Sequence, residues 1–208
     1  MRPAAQLLAT LAAVLGAAGS TAFAGPTIVC LGDSLTEGYG VAPNDAYPAR
    51  LERRLHDLGY DAVRVVNAGI NGSTTASAVS RLRWQLRNEP DVLILALGAN
   101  DGLRGVDLES TRAHLAEALV LAKANGVRTL LAGMQLPPNY GPEYTREFER
   151  VFPQLAREHD AALIPFLLEG VAADASLNLA DGIHPNAEGY RRVTENVLEP
   201  LLTLLGPP

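Results

Sequence analysis

Residues 28–39 read IVCLGDSLTEGY, an apolar run that breaks abruptly at Gly32, Asp33 and Ser34. A run of this kind is a buried strand, and Gly-Asp-Ser marks the tight turn into which it empties. That turn lifts the Ser34 hydroxyl clear of the sheet edge. Ser34 is therefore a candidate nucleophile, and a plain helix N-cap is the competing reading of the same residue. What decides between the two is what the other strand ends carry.

The strand-then-break pattern recurs along the chain. Residues 62–67 (AVRVVN) form a β-branched run broken by Gly69 and Gly72, and residues 91–97 (DVLILAL) are apolar on both faces, as a central parallel strand is, before Gly98. Residues 129–134 and 162–166 supply two further strands. Helical stripes lie between them. The first carries Tyr47, Leu51, Leu55 and Leu58, capped by Asn44 or Asp45 and ended by Gly59, and the second carries Ala76, Val79, Leu82 and Leu86 up to Pro90. Leu108, Leu115, Leu119 and Ala122 face inward in 107–125, with Gly126 as the C-cap glycine. Residues 148–159 lie in a fourth helix, and 187–205 form a last one with Tyr190, Val193, Val197, Leu201 and Leu204 in line.

Such alternation predicts a three-layer α/β/α fold around a five-stranded parallel sheet, and right-handed crossovers favour the flavodoxin-like order 2-1-3-4-5. No repeat or linker interrupts residues 25–208, which read as a single domain. In open sheets of this kind the ligand site lies beyond the carboxyl ends of the strands. The breaks GDS, NAGING, GAND and DGIHPN all fall there.

Of 208 residues 48% are hydrophobic, and Asp and Glu (23) outnumber Lys and Arg (17), giving a pI near 5.2. That balance argues against a nucleic-acid partner, which demands a basic patch. Residues 1–24 combine Arg2, an apolar stretch and Ala22-Phe23-Ala24, the form of a cleavable signal peptide, so the protein is expected to be periplasmic or secreted. The apolar core is shorter than the roughly 20 residues of a spanning helix and is broken by Gly16 and Gly19, so a stable membrane anchor is not expected. The lone cysteine, Cys30, allows no intrachain disulfide and reads as a small buried hydrophobe.

A serine hydroxyl is a weak nucleophile and needs a general base whose tautomer a third group fixes. Among four histidines, His56 and His114 fall within helices and His159 at a helix end, positions that suit surface residues. His184 instead lies in a loop, three residues after Asp181, which places an acid beside Nδ1 and leaves Nε2 for Ser34. Pro185 holds His184 out of the following helix. Donors for a developing oxyanion come from the Ser34 N–H, from Gly72, whose backbone approaches closely, and from the Asn100 side chain. Each also has an ordinary reading: Gly72 as a turn residue, Asn100 with Asp101 as a helix-entry cap, Asp181 as a turn residue. Leu103, Val106, Leu136, Pro137, Pro138 and Tyr140 offer an apolar wall for an acyl chain, or simply pack their loops. No ligand-spaced cluster implies a metal.

Taken together, GDSLTEGY, NAGINGS, GAND and DGIHPN resemble the four blocks of the SGNH, or GDSL, hydrolases, in order across essentially all of residues 25–208. The details ANDGLRG and MQLPPNYG are similar to its thioesterase, lysophospholipase and arylesterase group. The resemblance implies a cofactor-free serine hydrolase of esters or thioesters with an apolar acyl chain or aryl group. It implies Ser34 as nucleophile, His184 as base, Asp181 as orienter, and Ser34, Gly72 and Asn100 as the oxyanion hole. Ala99 departs from the more usual glycine of that block and adds a methyl beside the hole. A carbohydrate acetyl esterase is an alternative, although aromatic residues make up only 5% of the chain and Trp84 is the one tryptophan. A non-catalytic nucleotide or flavin binder is a second, against which stand the lack of G-x-G-x-x-G and the mid-helix position of the one lysine, Lys123.

Overall fold

The computed structural model describes residues 25–208, so the expected signal peptide at 1–24 lies outside the described residues. From Ile28 onward β1 (Thr27–Gly32) is buried on both faces. It leads directly into a single helical turn, α1 (Ser34–Glu37). The chain continues through α2 (Tyr47–Asp57), β2 (Arg64–Gly69), α3 (Ala78–Gln85), β3 (Val92–Ala96), α4 (Ala99–Leu103) and α5 (Leu108–Ala124). Then follow β4 (Arg128–Ala132), α6 (Pro142–His159), β5 (Ala162–Ile164) and α7 (Ala187–Leu205). All pairings are parallel and the order is β2-β1-β3-β4-β5, as the alternation predicts. Helix α2 packs on α7, while α3 packs on α5 and α5 on α6, so helices cover both faces of the sheet.

Burial explains why the sheet holds. Every residue of β3 is buried, and Ile28, Leu31, Leu93, Ile94 and Leu95 are fully enclosed with Phe148 and Phe152, whose rings meet edge to face at 5.4 Å. Each such side chain contributes about 1.5–3 kcal/mol on burial. Cys30 shares this core, and burial pushes its thiol up to about 12, so it stays protonated.

Local differences from the sequence reading have physical causes. Neither Asn44 nor Asp45 caps α2. They form a 3-10 turn with Pro43, Ala46 follows in extended conformation, and Pro48 in the first helical turn needs no donor partner. The Asp45 carboxylate instead pairs with Arg50 at 2.5 Å. Leu58 lies beyond the last turn and is exposed, and a 3-10 turn at Thr75–Ser77 shifts the α3 stripe so that Thr75, Ala78 and Leu82 face inward while Ala76 is exposed. Strand β2 begins two residues later than its apolar run because its one partner, β1, begins at Thr27 opposite Arg64, and the register runs on to Gly32↔Gly69.

Gly69 closes that register under the turn that carries Ser34. A Cβ there would stand 2.0 Å from the Glu37 nitrogen and 2.5 Å from its Cα, contacts that no rotamer change relieves. Gly69→Ala is expected to destabilise the protein by about 1–3 kcal/mol, as overpacking does, read as a lowered melting temperature; an unchanged melting temperature would contradict the close approach.

Candidate active site

The turn after β1 is tied from above and below. The Asp33 carboxylate accepts the Leu35 N–H at 3.0 Å as N-cap of α1, while the Asp33 carbonyl accepts the N–H groups of Thr36 and Glu37. Beneath it, Arg81 of α3 donates to the Gly32 carbonyl at 2.9 Å and also to the Ala68 carbonyl, joining the ends of β1 and β2. The Ser34 backbone is thereby fixed, although its neighbour Asp33 is itself buried, and burial raises that carboxyl to about 6 despite the Leu35 N–H and the Asn100 amide.

His184 reaches Ser34 from the loop before α7. Its Nε2 lies 2.9 Å from Ser34 Oγ and its Nδ1 2.7 Å from Asp181 Oδ2. The other carboxylate oxygen, Oδ1, accepts the backbone N–H groups of Ile183 and His184 at 2.9 and 3.0 Å. Those two backbone donors, with the imidazole after them, hold the Asp181 carboxyl down to about 2. The loop is anchored by Leu179 N–H to the His184 carbonyl (2.8 Å) and Asn186 N–H to the Leu177 carbonyl (2.9 Å), and the Tyr39 ring packs 4.6 Å from the imidazole.

Opposite this line stand Gly72 and Asn100. Gly72 adopts φ +73°, a conformation that favours glycine, and a Cβ there would meet only the Arg104 guanidinium at 3.5 Å. Its glycine thus answers a backbone requirement and not crowding. Asn100 Nδ2 donates to the Ser73 carbonyl at 3.1 Å and, at 3.3 Å, to Asp33 Oδ2. The buried Asp101 carboxylate accepts the Thr75 N–H (2.9 Å) and hydroxyl (2.6 Å), locking the Gly72 loop to α4. Neither Asn100 nor Asp101 caps α4, whose N-cap is Gly98. His114 is also more than a helix-surface residue: half-buried, its Nδ1 lies 3.3 Å from the Thr75 hydroxyl.

The two apolar segments meet each other. The Tyr140 hydroxyl donates to the Leu103 carbonyl at 3.1 Å, and Leu136 crowds Gly102, where a Cβ would come within 2.7 Å of it. Leu103, Val106 and Leu136 are half-buried, whereas Pro137, Pro138 and Tyr140 are exposed. Sequence reasoning missed Tyr39, Thr75 and Arg104, which carry no local signature. Asp101 was visible only as a helix-entry cap.

Chemically, the arrangement presents a hydroxyl bonded to an imidazole that is bonded in turn to a carboxylate, with the Asn100 amide beside the same turn on Asp33. The profile of the GDSL-like lipase/acylhydrolase family matches residues 30–192, which take in every one of these groups. The chain belongs to that family. It is 43% identical over 183 residues to the esterase TesA of Pseudomonas aeruginosa, covering 86% of this chain and 90% of the relative. It is 36% identical over 185 residues to thioesterase 1/protease 1/lysophospholipase L1 of Escherichia coli, covering 88% and 87%. The crystal structure of a TesA superposes with a TM-score of 0.82 at 42% identity, over 86% of this chain and 99% of the other.

The depressed Asp181 carboxyl has a definite sign in stability. Because its native value lies below the ordinary 3.8, the stabilisation it adds is complete above that value and disappears as pH falls toward about 2. The stability gap between the parent and Asp181→Asn should accordingly be widest near neutrality and narrow across that acid range, as urea midpoints measured from pH 7 down to 2 would show; a gap that widened on acidification would contradict it.

Proposed function

We propose that this protein hydrolyses carboxylic esters and thioesters through an acyl-enzyme on Ser34, with His184 as general base and acid and Asp181 as its orienter. The observation that carries the reading is the continuous line Asp181–His184–Ser34, at 2.7 and 2.9 Å, between residues brought together from opposite ends of the fold. Ser34 Oγ attacks the carbonyl carbon as its proton passes to His184 Nε2, and the carbonyl oxygen takes the negative charge. Collapse expels the alkoxide or thiolate, which receives that proton. Water then attacks the acyl-enzyme, giving its proton to Nε2, and the second collapse returns it to Ser34 Oγ. The Asp181 carboxylate keeps Nδ1–H in place throughout.

Three donors face the oxyanion: the N–H groups of Ser34 and Gly72, and Asn100 Nδ2. The longer of the two bonds that Asn100 Nδ2 donates, to Asp33, is the one an oxyanion replaces. The segments carrying Leu103, Val106, Leu136, Pro138 and Tyr140 then line the acyl chain. Activities named for the relatives, esterase and thioesterase with lysophospholipase, agree with an acyl pocket indifferent to the leaving group. The leader at 1–24 routes the enzyme out of the cytoplasm, and among the described residues no helix is long and apolar enough to cross a membrane.

A p-nitrophenyl ester series from acetate to palmitate, with palmitoyl-CoA alongside, tests the reading. Ser34→Ala should abolish turnover, and Asn100→Ala should lower kcat on the order of 10²–10³-fold with KM little changed. Turnover surviving in Ser34→Ala would overturn the mechanism.

A further inference from the structure

Arg104 sits where the mechanism has no use for a cation. As C-cap of α4 its backbone N–H donates to the carbonyls of Asn100 and Asp101 at 3.2 Å each, which fixes its Cα beside the oxyanion hole. Its exposed guanidinium has Nη2 3.4 Å from Asn100 Oδ1 and 3.5 Å from the point where a Cβ of Gly72 would stand. Both candidate donors outside the serine turn therefore border the same charge.

That charge is also uncommitted. Arg50, Arg54, Arg112 and Arg191 have carboxylate partners, whereas among the described residues Arg104 forms no ion pair. One long bond to Asn100 leaves most of its five N–H donors free. Moreover, Arg104 is the only Lys or Arg in the segments that run from the carboxyl end of a strand to the next main helix, at 33–46, 70–77, 97–107, 133–141 and 165–186. The same segments carry Asp33, Glu37, Asp101, Asp107 and Asp181. Within these segments Arg104 is the one cation that an anion approaching this edge meets.

Building on the hydrolase reading, we propose that Arg104 forms an anion subsite at the rim of the oxyanion hole, which takes a single phosphate carried a few bonds from the scissile ester. A monoacylglycerol phosphate, the core of a lysophospholipid, has that form: its phosphate lies on the same glycerol as the ester and meets the guanidinium fork while the carbonyl occupies the hole. An acyl-CoA does not. Its phosphates lie at the far end of the pantetheine arm, beyond this contact, and its several charges meet the acidic edge.

The test compares 1-decanoylglycerol 3-phosphate with 1-decanoylglycerol and decanoyl-CoA, all at submicellar concentration and one salt concentration, in the parent, Arg104→Gln and Arg104→Lys. The ratio of kcat/KM for the phosphate ester over the neutral ester should fall roughly 10- to 100-fold in Arg104→Gln, the loss of a hydrogen bond to a charged group, chiefly through KM. Arg104→Lys should recover part of it. The ratio for decanoyl-CoA over the neutral ester should move little. An unchanged phosphate ratio, or a loss equal on all three substrates, would overturn the subsite, since Arg104 would then serve only to support Asn100. A decanoyl-CoA ratio falling in step with the phosphate ratio would overturn it as well, marking a diffuse charge effect. Binding of decyl phosphate to the Ser34→Ala protein reads the same subsite without turnover: it should weaken when Arg104→Gln is added, and equal binding would contradict the proposal. Decyl phosphate binding that depends on Arg104 in a parent that cleaves no ester would sink the hydrolase reading and leave the subsite standing.

Discussion

The site depends on β1 being hydrogen-bonded on both sides and buried on both faces, so that its last residue has no freedom to place Ser34 anywhere but at the sheet's carboxyl edge. The β1–β2 register runs through Gly32↔Gly69 and the β1–β3 register through Gly32↔Ala96, which brings the starts of three loops to one level. Arg81 reinforces this from below by bonding the carbonyls of Gly32 and Ala68. Ser34, the Gly72 loop and α4 therefore begin from adjacent, immobile strand ends.

His184 comes from the far end of the chain, and its delivery depends on α7. Asn186 caps that helix by accepting the N–H groups of Glu188 and Gly189 at 3.0 Å each. Gly189 lets the Leu177 carbonyl lie where a side chain would otherwise stand, 2.1 Å from a Cβ, and the fully buried Tyr190 points its hydroxyl toward the Ser34 carbonyl at 3.4 Å. The helix thus docks beneath the serine turn while its leading loop folds over it. Packing energy from Val193, Val197 and Leu201, all buried, holds the loop that carries His184 within hydrogen-bond reach of Ser34.

Much of this was legible because the relevant signals are local. The strand order follows from apolar runs and connection rules, Ser34 announces itself as a turn residue at a strand end, and Asp181 and His184 as loop residues just before the last helix. What escaped was what distance in sequence conceals. Asp101 meets Thr75 across 26 residues and Thr75 meets His114 across 39, so neither contact leaves a spacing pattern. The α2 cap and the phase of α3 were misplaced for a related reason: short 3-10 turns rotate the chain before each helix, and only tertiary packing sets their extent. Arg104 reads in sequence as one more loop arginine.

Two carboxylates flank the serine and are tuned in opposite directions. Asp181, bonded by backbone donors, stays ionised far into acid, while burial raises Asp33 toward neutrality. Only the first faces the imidazole ring nitrogen, and the second leans on the Asn100 amide. The claim at the centre of this account is that Ser34 is the residue acylated. Reaction with a p-nitrophenyl alkylphosphonate, followed by mass spectrometry of the digested protein, tests it directly. One phosphonyl group per chain on Ser34, formed in step with loss of esterase activity and not formed in His184→Ala, is the predicted result; activity lost with the label elsewhere, or retained with Ser34 labelled, would contradict it.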